Sequence, residues 1–170
     1  MQPANPPFYH ERQRLFYCGV HALNNFFQRS EVSVSEFESI ARSLSDSLFN
    51  EHRSVLRLGN YDVNVITMAL AKRNFEVSYF DMRRPIRDLF TVPFDALLLN
   101  FRRKSRFIPW KRTNHWVTVL PYSHDHNTSY WNCDSLLDEP ECLSKDELTS
   151  YLQDRDSLSI LFIRRSSSVQ

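Results

Sequence analysis

The chain lacks the features that mark several broad protein classes. Its 170 residues include three cysteines, none in a C-x-x-C pair, which excludes a disulfide framework and a zinc ribbon. The formal net charge of +1 gives no reason to expect nucleic acid or an anionic membrane as a partner. No apolar run is long enough to span a bilayer, so no integral membrane segment is expected. These absences favour a soluble protein of a reducing, intracellular compartment, and we expect it in the cytoplasm.

Glycine is scarce too, and the first residues lack a targeting signal. The two glycines, Gly19 and Gly59, are each expected to meet a specific backbone requirement. The opening MQPANPPF carries prolines and no apolar segment, so we predict no signal peptide. Without an internal repeat or a low-complexity linker, the chain is predicted to form one domain over residues 1–170, with flexible ends at 1–8 and 165–170.

Hydrophobic periodicity indicates a helix near the beginning of the chain. An apolar stripe at helical spacing predicts a central helix that begins at or next to Cys18 and packs on one face. A polar stripe lies on the opposite side of this helix. The apolar stripe consists of Gly19, Ala22, Leu23, Phe26 and Phe27, and the polar stripe of His21, Asn24, Asn25 and Gln28.

Three further helices and five strands are predicted from capping residues and from changes in period. Ser33 with Glu36 offers a capping box for a second helix, and Asn60 is the expected cap of a third. Ser144 with Glu147 offers a capping box for the last helix, which lies before the final strand. The strands are rich in aromatic and β-branched residues; they are predicted at 75–80, 96–101, 115–120, 129–134 and 158–163.

The order of these elements, helices first and strands later, predicts the fold class. It favours an α+β domain in which helices pack on a largely antiparallel sheet. The basic segment 102–114, RRKSRFIPWKRTN, is predicted to be a loop beside that sheet. A solvated connection and a partner-binding surface are equally good interpretations of its charge.

Cys18, at the predicted helix start, is a candidate nucleophile. The unpaired N–H groups and the dipole of a first helical turn favour a thiolate, whereas a structural cysteine could lie anywhere on an apolar face. A nucleophilic thiol needs a base and a group that orients the base. Among six histidines, His21 and His115 fit best, and His21 could equally have a structural role in the polar stripe. Cys133 and Cys142 are expected to be inert.

His115 and Asp134 are predicted to meet across two neighbouring strands. If the connecting turn is centred between His124 and Asp125, the antiparallel register places His115 opposite Asp134. Directly opposed residues have Cβ atoms about 4.5–5.5 Å apart, near enough for a carboxylate to accept the imidazole N–H. A slip of one residue would put the two side chains on opposite faces, so the prediction depends on the assumed turn.

Two more groups of polar residues bear on the chemistry. Gln13 lies five residues before Cys18, and its amide could donate to an oxyanion together with the Cys18 N–H; a surface glutamine is the alternative. His124 and His126 flank Asp125 in a predicted turn, but no further ligand spacing accompanies them. We therefore expect no metal site and no other cofactor.

Four ordered motifs resemble those of the Josephin family. HERQRLFYCGVHALNNFFQ is similar to the opening of a Josephin domain, with its H-E-x-Q, cysteine, histidine and L-N-N pattern. NHWVTV resembles the strand that carries the family's catalytic histidine, and YWNCDSLL the strand that carries its third catalytic residue. GNYDVNVI resembles the small, stand-alone Josephin proteins in particular. The resemblance spans roughly residues 9–164.

The resemblance implies a papain-like cysteine protease fold of the Josephin type, with a helical arm, acting as a deubiquitinase. It assigns Gln13 as oxyanion donor, Cys18 as nucleophile, His115 as base and Asp134 as the residue that orients the base. Some Josephin domains have asparagine at the last position, and the small members have aspartate, as this chain does. The implied partners are ubiquitin and ubiquitinated proteins, and we expect a monomer.

Substrate contacts also follow from the resemblance. Josephin domains bind ubiquitin through the helix that matches DVNVITMAL, which points to Val63 and Asn64. An aromatic residue that contributes to this contact in some members aligns with Arg73. Two alternatives to hydrolysis stay open on the sequence. One is a ubiquitin-binding module with little turnover, its cleft closed by an arm over residues 35–60. The other is an acyl transferase that uses the same residues with an amine acceptor.

Overall fold

The described part of the chain forms helices on both sides of a six-stranded sheet. This computed structural model describes residues 9–13, 17–44, 61–104, 112–124, 127–155 and 157–166. The α-helices are α1 Cys18–Phe27, α2 Val34–Leu44, α3 Val63–Ala71 and α4 Lys145–Gln153, and a 3₁₀ helix spans Ile86–Thr91. The strands are β1 Phe75–Tyr79, β2 Ala96–Lys104, β3 Arg112–His124, β4 Asn127–Cys133, β5 Glu141–Leu143 and β6 Ser159–Arg165.

The sheet has the strand order β1-β6-β2-β3-β4-β5, and every neighbouring pair is antiparallel. The predicted α+β class is thereby confirmed, as are all five predicted strands. The prediction of a loop over 102–114 is wrong at both ends, because β2 continues to Lys104 and β3 begins at Arg112. These two residues pair across the hairpin, and residues 105–111 lie outside the described part.

Alternation along the central strands sends apolar side chains to both faces of the sheet. In β2, Leu98 packs with α1, α2 and α3, whereas Leu97 and Leu99 pack on the other face. That second face is covered by α4, through Leu148 and Leu152, and by the 3₁₀ helix. The sheet is therefore buried on both sides, and the strand ends carry the polar residues of the candidate site.

Helix caps explain where three of the helices begin. Ser33 accepts a hydrogen bond from the backbone N–H three residues later, and Ser144 and Glu147 form both bonds of a capping box. The predicted capping box of Ser144 and Glu147 is confirmed, and of the box predicted for Ser33 and Glu36 the bond to Ser33 is confirmed, whereas the Glu36 carboxylate accepts from Arg73. The predicted cap of α3 is wrong: Asp62 accepts from two N–H groups of the first turn of α3, and Asn60 lies outside the described residues.

Helix α1 is buried more completely than its sequence indicates. Every residue from Cys18 to Asn25 is buried, so the prediction of a helix packed on one face is wrong. The polar stripe is covered by residues 9–13, the end of β4 and the connection to α2, which supply backbone hydrogen-bond partners. Gly19 has no left-handed backbone; a Cβ there would lie 3.4 Å from both Ile66 and Phe37, so its requirement is one of space. Gly59 is not described.

The arm suggested over residues 35–60 is described only in part. Helix α2 accounts for its beginning, with Phe37, Ile40 and Ala41 buried against the core, and residues 45–60 are not described. Within the described ranges, no helix has the length and apolar character needed to cross a bilayer.

Candidate active site

Cys18 is the first residue of α1 and lines a cleft. Only 3% of the residue is exposed. The N–H groups of a first helical turn have no acceptor within the helix, and together with the helix dipole they favour negative charge at this position. The thiol therefore lies in the first turn of a helix, as the sequence predicts.

The cleft beside Cys18 has a volume of about 690 Å³ and crosses the face of the sheet that packs on α1. Strands β3, β2, β6 and β1 all contribute to it, and the residues just before and at the start of α3 form another wall. The lining includes Tyr61, Val63, Asn100, Asn114, Trp116 and Ser159. The cleft has both polar and apolar lining residues, so it can offer hydrogen-bond partners to the backbone of a bound chain.

His115 and Asp134 are in contact, although the predicted register is wrong. His115 Nε2 lies 2.7 Å from Asp134 Oδ1. The β3–β4 ladder, however, runs from His124↔Asn127 to Thr118↔Cys133, so Asp134 continues the chain past the last pair and lies diagonal to His115. Each residue of β3 thus pairs with a residue of β4 two positions away from the predicted one. A shift of two residues leaves every side chain on its expected face of the sheet. A diagonal neighbour is within reach of an imidazole.

Charges and hydrogen bonds set the protonation of this pair. Burial lowers the pKa of His115, but hydrogen bonds to Asp134 and Cys18 and the charges of both outweigh it and raise the pKa to about 9. Burial likewise opposes the charged form of Asp134. The hydrogen bond and charge of His115, the Leu136 N–H and the charge of Arg103 hold the pKa of Asp134 below its usual value. At neutral pH the pair is an imidazolium and a carboxylate.

The three side chains form one connected arrangement. His115 hydrogen-bonds to Cys18, and its Nε2 is directed at Asp134, so Nδ1 is the nitrogen that remains for the thiol. Asp134 Oδ1 also accepts from the N–H of Leu136 at 2.9 Å, which fixes the carboxylate. A thiol, an imidazole and an orienting carboxylate in this order are competent for nucleophilic acyl chemistry.

Gln13 belongs to a short N-terminal segment, residues 9–13, that runs beside the Asp134 loop. The Gln13 N–H donates to the carbonyl of Ser135 at 2.6 Å, and His10 Nε2 lies 3.0 Å from the carbonyl of Leu137. On its other side the segment contacts the polar stripe of α1, where Gln28 exchanges hydrogen bonds with the backbone of Tyr9. The segment that carries Gln13 is thus held against both the helix of Cys18 and the loop of Asp134.

The remaining candidates of the sequence lie elsewhere or are structural. His21 Nδ1 lies 3.3 Å from Glu11 Oε1 in the buried polar stripe. Cys133 is fully buried, and burial raises the pKa of its thiol to about 12. Val63 lines the cleft, whereas Asn64 is exposed and its amide donates to Asp62.

Arg73 aligns with the aromatic residue that contributes to ubiquitin binding in some Josephin domains. In this protein its guanidinium makes its hydrogen bonds to residues of the same chain. Its five guanidinium N–H groups donate to the carboxylates of Glu31 and Glu36 and to the carbonyls of Ala69 and Glu31. Five bonds satisfy every donor that an arginine has. The guanidinium also lies 5.7 Å over the ring of Phe27. Arg73 therefore joins the end of α3 to the connection between α1 and α2.

Sequence reasoning missed two aromatic residues at the site. The indole N–H of Trp116 donates to the carbonyl of Tyr61 at 3.0 Å, which connects the sheet to the wall that precedes α3. The ring of Phe101 packs edge-on against His115, with centroids 5.7 Å apart. Strand alternation after His115 could have indicated that Trp116 faces the helices. The contact of Phe101 depends on the β2–β3 register and has no local signal.

No metal site is apparent in the described ranges, which hold no group of three or more histidine, cysteine, aspartate or glutamate side chains placed to bind an ion. Of the turn suggested by His124 and His126, only His124 belongs to the described residues.

Comparison with known proteins places these residues in a family. A family model described as Josephin matches residues 13–164. Josephin-2 of Homo sapiens is 39% identical over 151 residues, which cover 86% of this chain and 78% of that protein. Josephin-2 of Mus musculus is 38% identical with the same coverage, and a Josephin-like protein of Drosophila melanogaster is 38% identical over 148 residues, covering 82% and 64%. The chain belongs to the Josephin family.

Proposed function

We propose that this protein is a deubiquitinase, a thiol-dependent hydrolase of isopeptide or peptide bonds at the C-terminal glycine of ubiquitin. The observation that carries the proposal is the hydrogen-bonded series Cys18–His115–Asp134 at the edge of a cleft. Membership of the Josephin family supports ubiquitin as the substrate. No cofactor is needed, because the thiol, the imidazole and backbone donors supply every step.

In the proposed first half-reaction, the Cys18 thiolate attacks the carbonyl carbon of the terminal glycine. The developing oxyanion accepts hydrogen bonds from the Cys18 N–H and the Gln13 side chain. His115, protonated at neutral pH, gives its proton to the leaving lysine amine as the carbon–nitrogen bond breaks. The products of this step are a free amine and a ubiquitin thioester on Cys18.

In the second half-reaction, water replaces the thiol. Neutral His115 accepts a proton from the attacking water, the carbon–sulfur bond breaks, and ubiquitin leaves with a free C-terminal carboxylate. Asp134 supports the imidazolium formed in this step and keeps Nε2 directed away from the thiol. The nucleophile and the base then return to their starting protonation states.

The cleft supports the proposal by its lining and by its position beside Cys18. Val63 is at the wall of the cleft, so the start of α3 is near enough to Cys18 to contact a bound tail. Asn64, one residue further, is exposed and can contact the body of ubiquitin outside the cleft. Arg73 makes its bonds within the chain, so in our proposal ubiquitin binding uses Val63 and Asn64 without it.

The test is turnover of a fluorogenic amide at the C-terminus of ubiquitin. Wild-type protein is expected to release the fluorophore, and Cys18→Ala is expected to bind ubiquitin but release nothing. Binding without release by the wild type would indicate a ubiquitin-binding module instead. Product analysis with an added amine distinguishes a transferase, because transfer gives a ubiquitin amide where hydrolysis gives a free carboxylate.

A further inference from the structure

Two neighbouring asparagines of α1 are among its most deeply buried residues. Asn24 is 1% exposed and Asn25 is 0% exposed. A buried amide is costly unless its oxygen and nitrogen are hydrogen-bonded. Each of these two side chains makes three hydrogen bonds to backbone groups, and the two sets of bonds go to different parts of the molecule.

Asn25 connects α1 to both segments that flank it at the site. Its Oδ1 accepts from the Glu11 N–H at 2.6 Å, and its Nδ2 donates to the Glu11 carbonyl at 3.4 Å. The same Nδ2 donates to the Cys133 carbonyl at 3.1 Å. The first two bonds join α1 to the segment of Gln13, and the third joins it to the last residue of β4.

The Cys133 carbonyl belongs to the peptide group that also contains the N atom of Asp134. A bond to this oxygen therefore fixes the backbone from which the Asp134 side chain reaches His115. Asn25 lies seven residues after Cys18, two helical turns along nearly the same face. The helix, the N-terminal segment and the end of β4 thus meet at one side chain.

We propose that Asn25 is a positioning residue that holds the Asp134 carboxylate, and through it the His115 imidazole, in register with the Cys18 thiol. Asn25 touches none of the reacting atoms; it acts through the Cys133 carbonyl and the backbone of Glu11. The inference extends the proposed function, because turnover of a ubiquitin substrate is one of its two readouts.

Asn24 provides a matched control within the same helix. Its Oδ1 accepts from the N–H groups of Glu31 and Val32, and its Nδ2 donates to the Val32 carbonyl. These bonds hold the connection between α1 and α2, away from Asp134. Asn24→Ala and Asn25→Ala each remove three buried hydrogen bonds from neighbouring positions, so both are expected to lower Tm by similar amounts.

The experiment compares Asn24→Ala, Asn25→Ala and Asn25→Asp with the wild type. Asn25→Asp keeps an acceptor for the Glu11 N–H and loses both bonds that Nδ2 donates, to the carbonyls of Cys133 and Glu11. It therefore separates the donor bonds of Asn25 from its acceptor bond. We expect both Asn25 variants to lower kcat roughly tenfold to 100-fold, with KM changed less than about twofold. Asn24→Ala is expected to keep the kcat of the wild type.

The second readout is independent of ubiquitin. The rate at which iodoacetamide alkylates Cys18, followed against pH by peptide mass spectrometry, reports the coupling of this thiol to His115. We expect both Asn25 variants to shift this pH profile and Asn24→Ala to leave it unchanged. If wild-type protein turns over no ubiquitin substrate, the proposed function fails, and the alkylation profiles still decide the role of Asn25.

Two results would overturn the inference. One is a pair of folded Asn25 variants whose kcat and alkylation profile match those of the wild type. The other is a failure of both Asn25 variants to fold while Asn24→Ala folds, because the residue would then act in folding and not in positioning the site.

Discussion

Replacement of Asp134 by asparagine removes a charge beside His115 while leaving an oxygen in the same place. In the wild type, Asp134 Oδ1 accepts from His115 Nε2 at 2.7 Å and from the Leu136 N–H at 2.9 Å. An amide oxygen can accept both bonds. The variant should therefore keep the orientation of the imidazole and lose the electrostatic support of its protonated form.

The size of the effect follows from the environment of His115. Its pKa is raised from 6.5 to about 9, which corresponds to roughly 3 kcal/mol in favour of the imidazolium. Burial opposes this shift, so the two charged partners more than compensate for burial. With the charge of Asp134 removed, we expect the pKa of His115 to fall by one to two pH units, on the order of 1–3 kcal/mol.

The same shift predicts how stability depends on pH. The folded-state pKa of His115 is above its unfolded value, so the stabilisation is fully present below about pH 6.5 and is lost as the pH rises through about 9. The lowered pKa of Asp134 adds stability above its usual value of 3.8, lost in acid. Asp134→Asn should therefore lower the free energy of unfolding most near pH 5–6 and least above pH 9.

The assay is turnover of the fluorogenic ubiquitin amide against pH, with folding checked for each variant. For the wild type we expect the basic limb to have its midpoint near pH 9, and for Asp134→Asn a lower midpoint with a maximal rate within roughly tenfold of wild type. Asp134→Ala, which loses the orienting oxygen, should lose roughly 100-fold or more. An unchanged midpoint in Asp134→Asn, or equal activity of the two variants, would refute the reasoning.

Three further predictions use the same turnover assay or thermal unfolding. His115→Ala should reduce turnover by roughly 10³-fold or more. His21→Ala loses a contact to Glu11 and should mainly lower Tm. If folded His21→Ala lost more turnover than folded His115→Ala, the assignment of the base would be wrong. Asn132→Ala should reduce turnover less than Asp134→Ala. Asn132 pairs with Val119 in the ladder, whereas it is Asp134 that contacts His115. Arg73→Leu should lower stability by about 2 kcal/mol, after allowance for solvent screening, with kcat unchanged; an unchanged Tm would contradict its structural role.

Local rules of the sequence predicted the elements that position the thiol and the last helix. Cys18 begins α1, where the apolar stripe at helical spacing predicted it. Ser144 with Glu147 begins α4, because a capping box needs only residues within one turn. The cap of α3 was assigned two residues too early, since Asn60 and Asp62 are both good caps and local chemistry does not rank them. The three-residue strand β5 is too short to show a period.

Contacts between distant segments could not be predicted in detail. The contact between His115 and Asp134 was predicted correctly from a wrong register, since a shift of two residues keeps the face and changes only the partner. The burial of Asn25 has no local signal, because its partners are Glu11 and Cys133. Sequence periodicity marks such a residue as polar and therefore as exposed.

The extension of β2 and β3 into the basic segment was missed for a similar reason. Lys104 and Arg112 are exposed, and charged residues have low strand propensity. Their backbones are nevertheless paired in the ladder, because the hairpin extends from a strongly apolar centre. Tertiary pairing outweighs the preference of single residues here.

The central claim is that the Cys18 thiol attacks the C-terminal carbonyl of ubiquitin, and a ubiquitin with an electrophile at that terminus tests it most directly. We predict one covalent adduct, mapped by mass spectrometry to Cys18 and absent from Cys18→Ala, since Cys133 is buried with a pKa raised to about 12. An adduct at Cys133 or Cys142, or no adduct with folded wild-type protein, would contradict the claim.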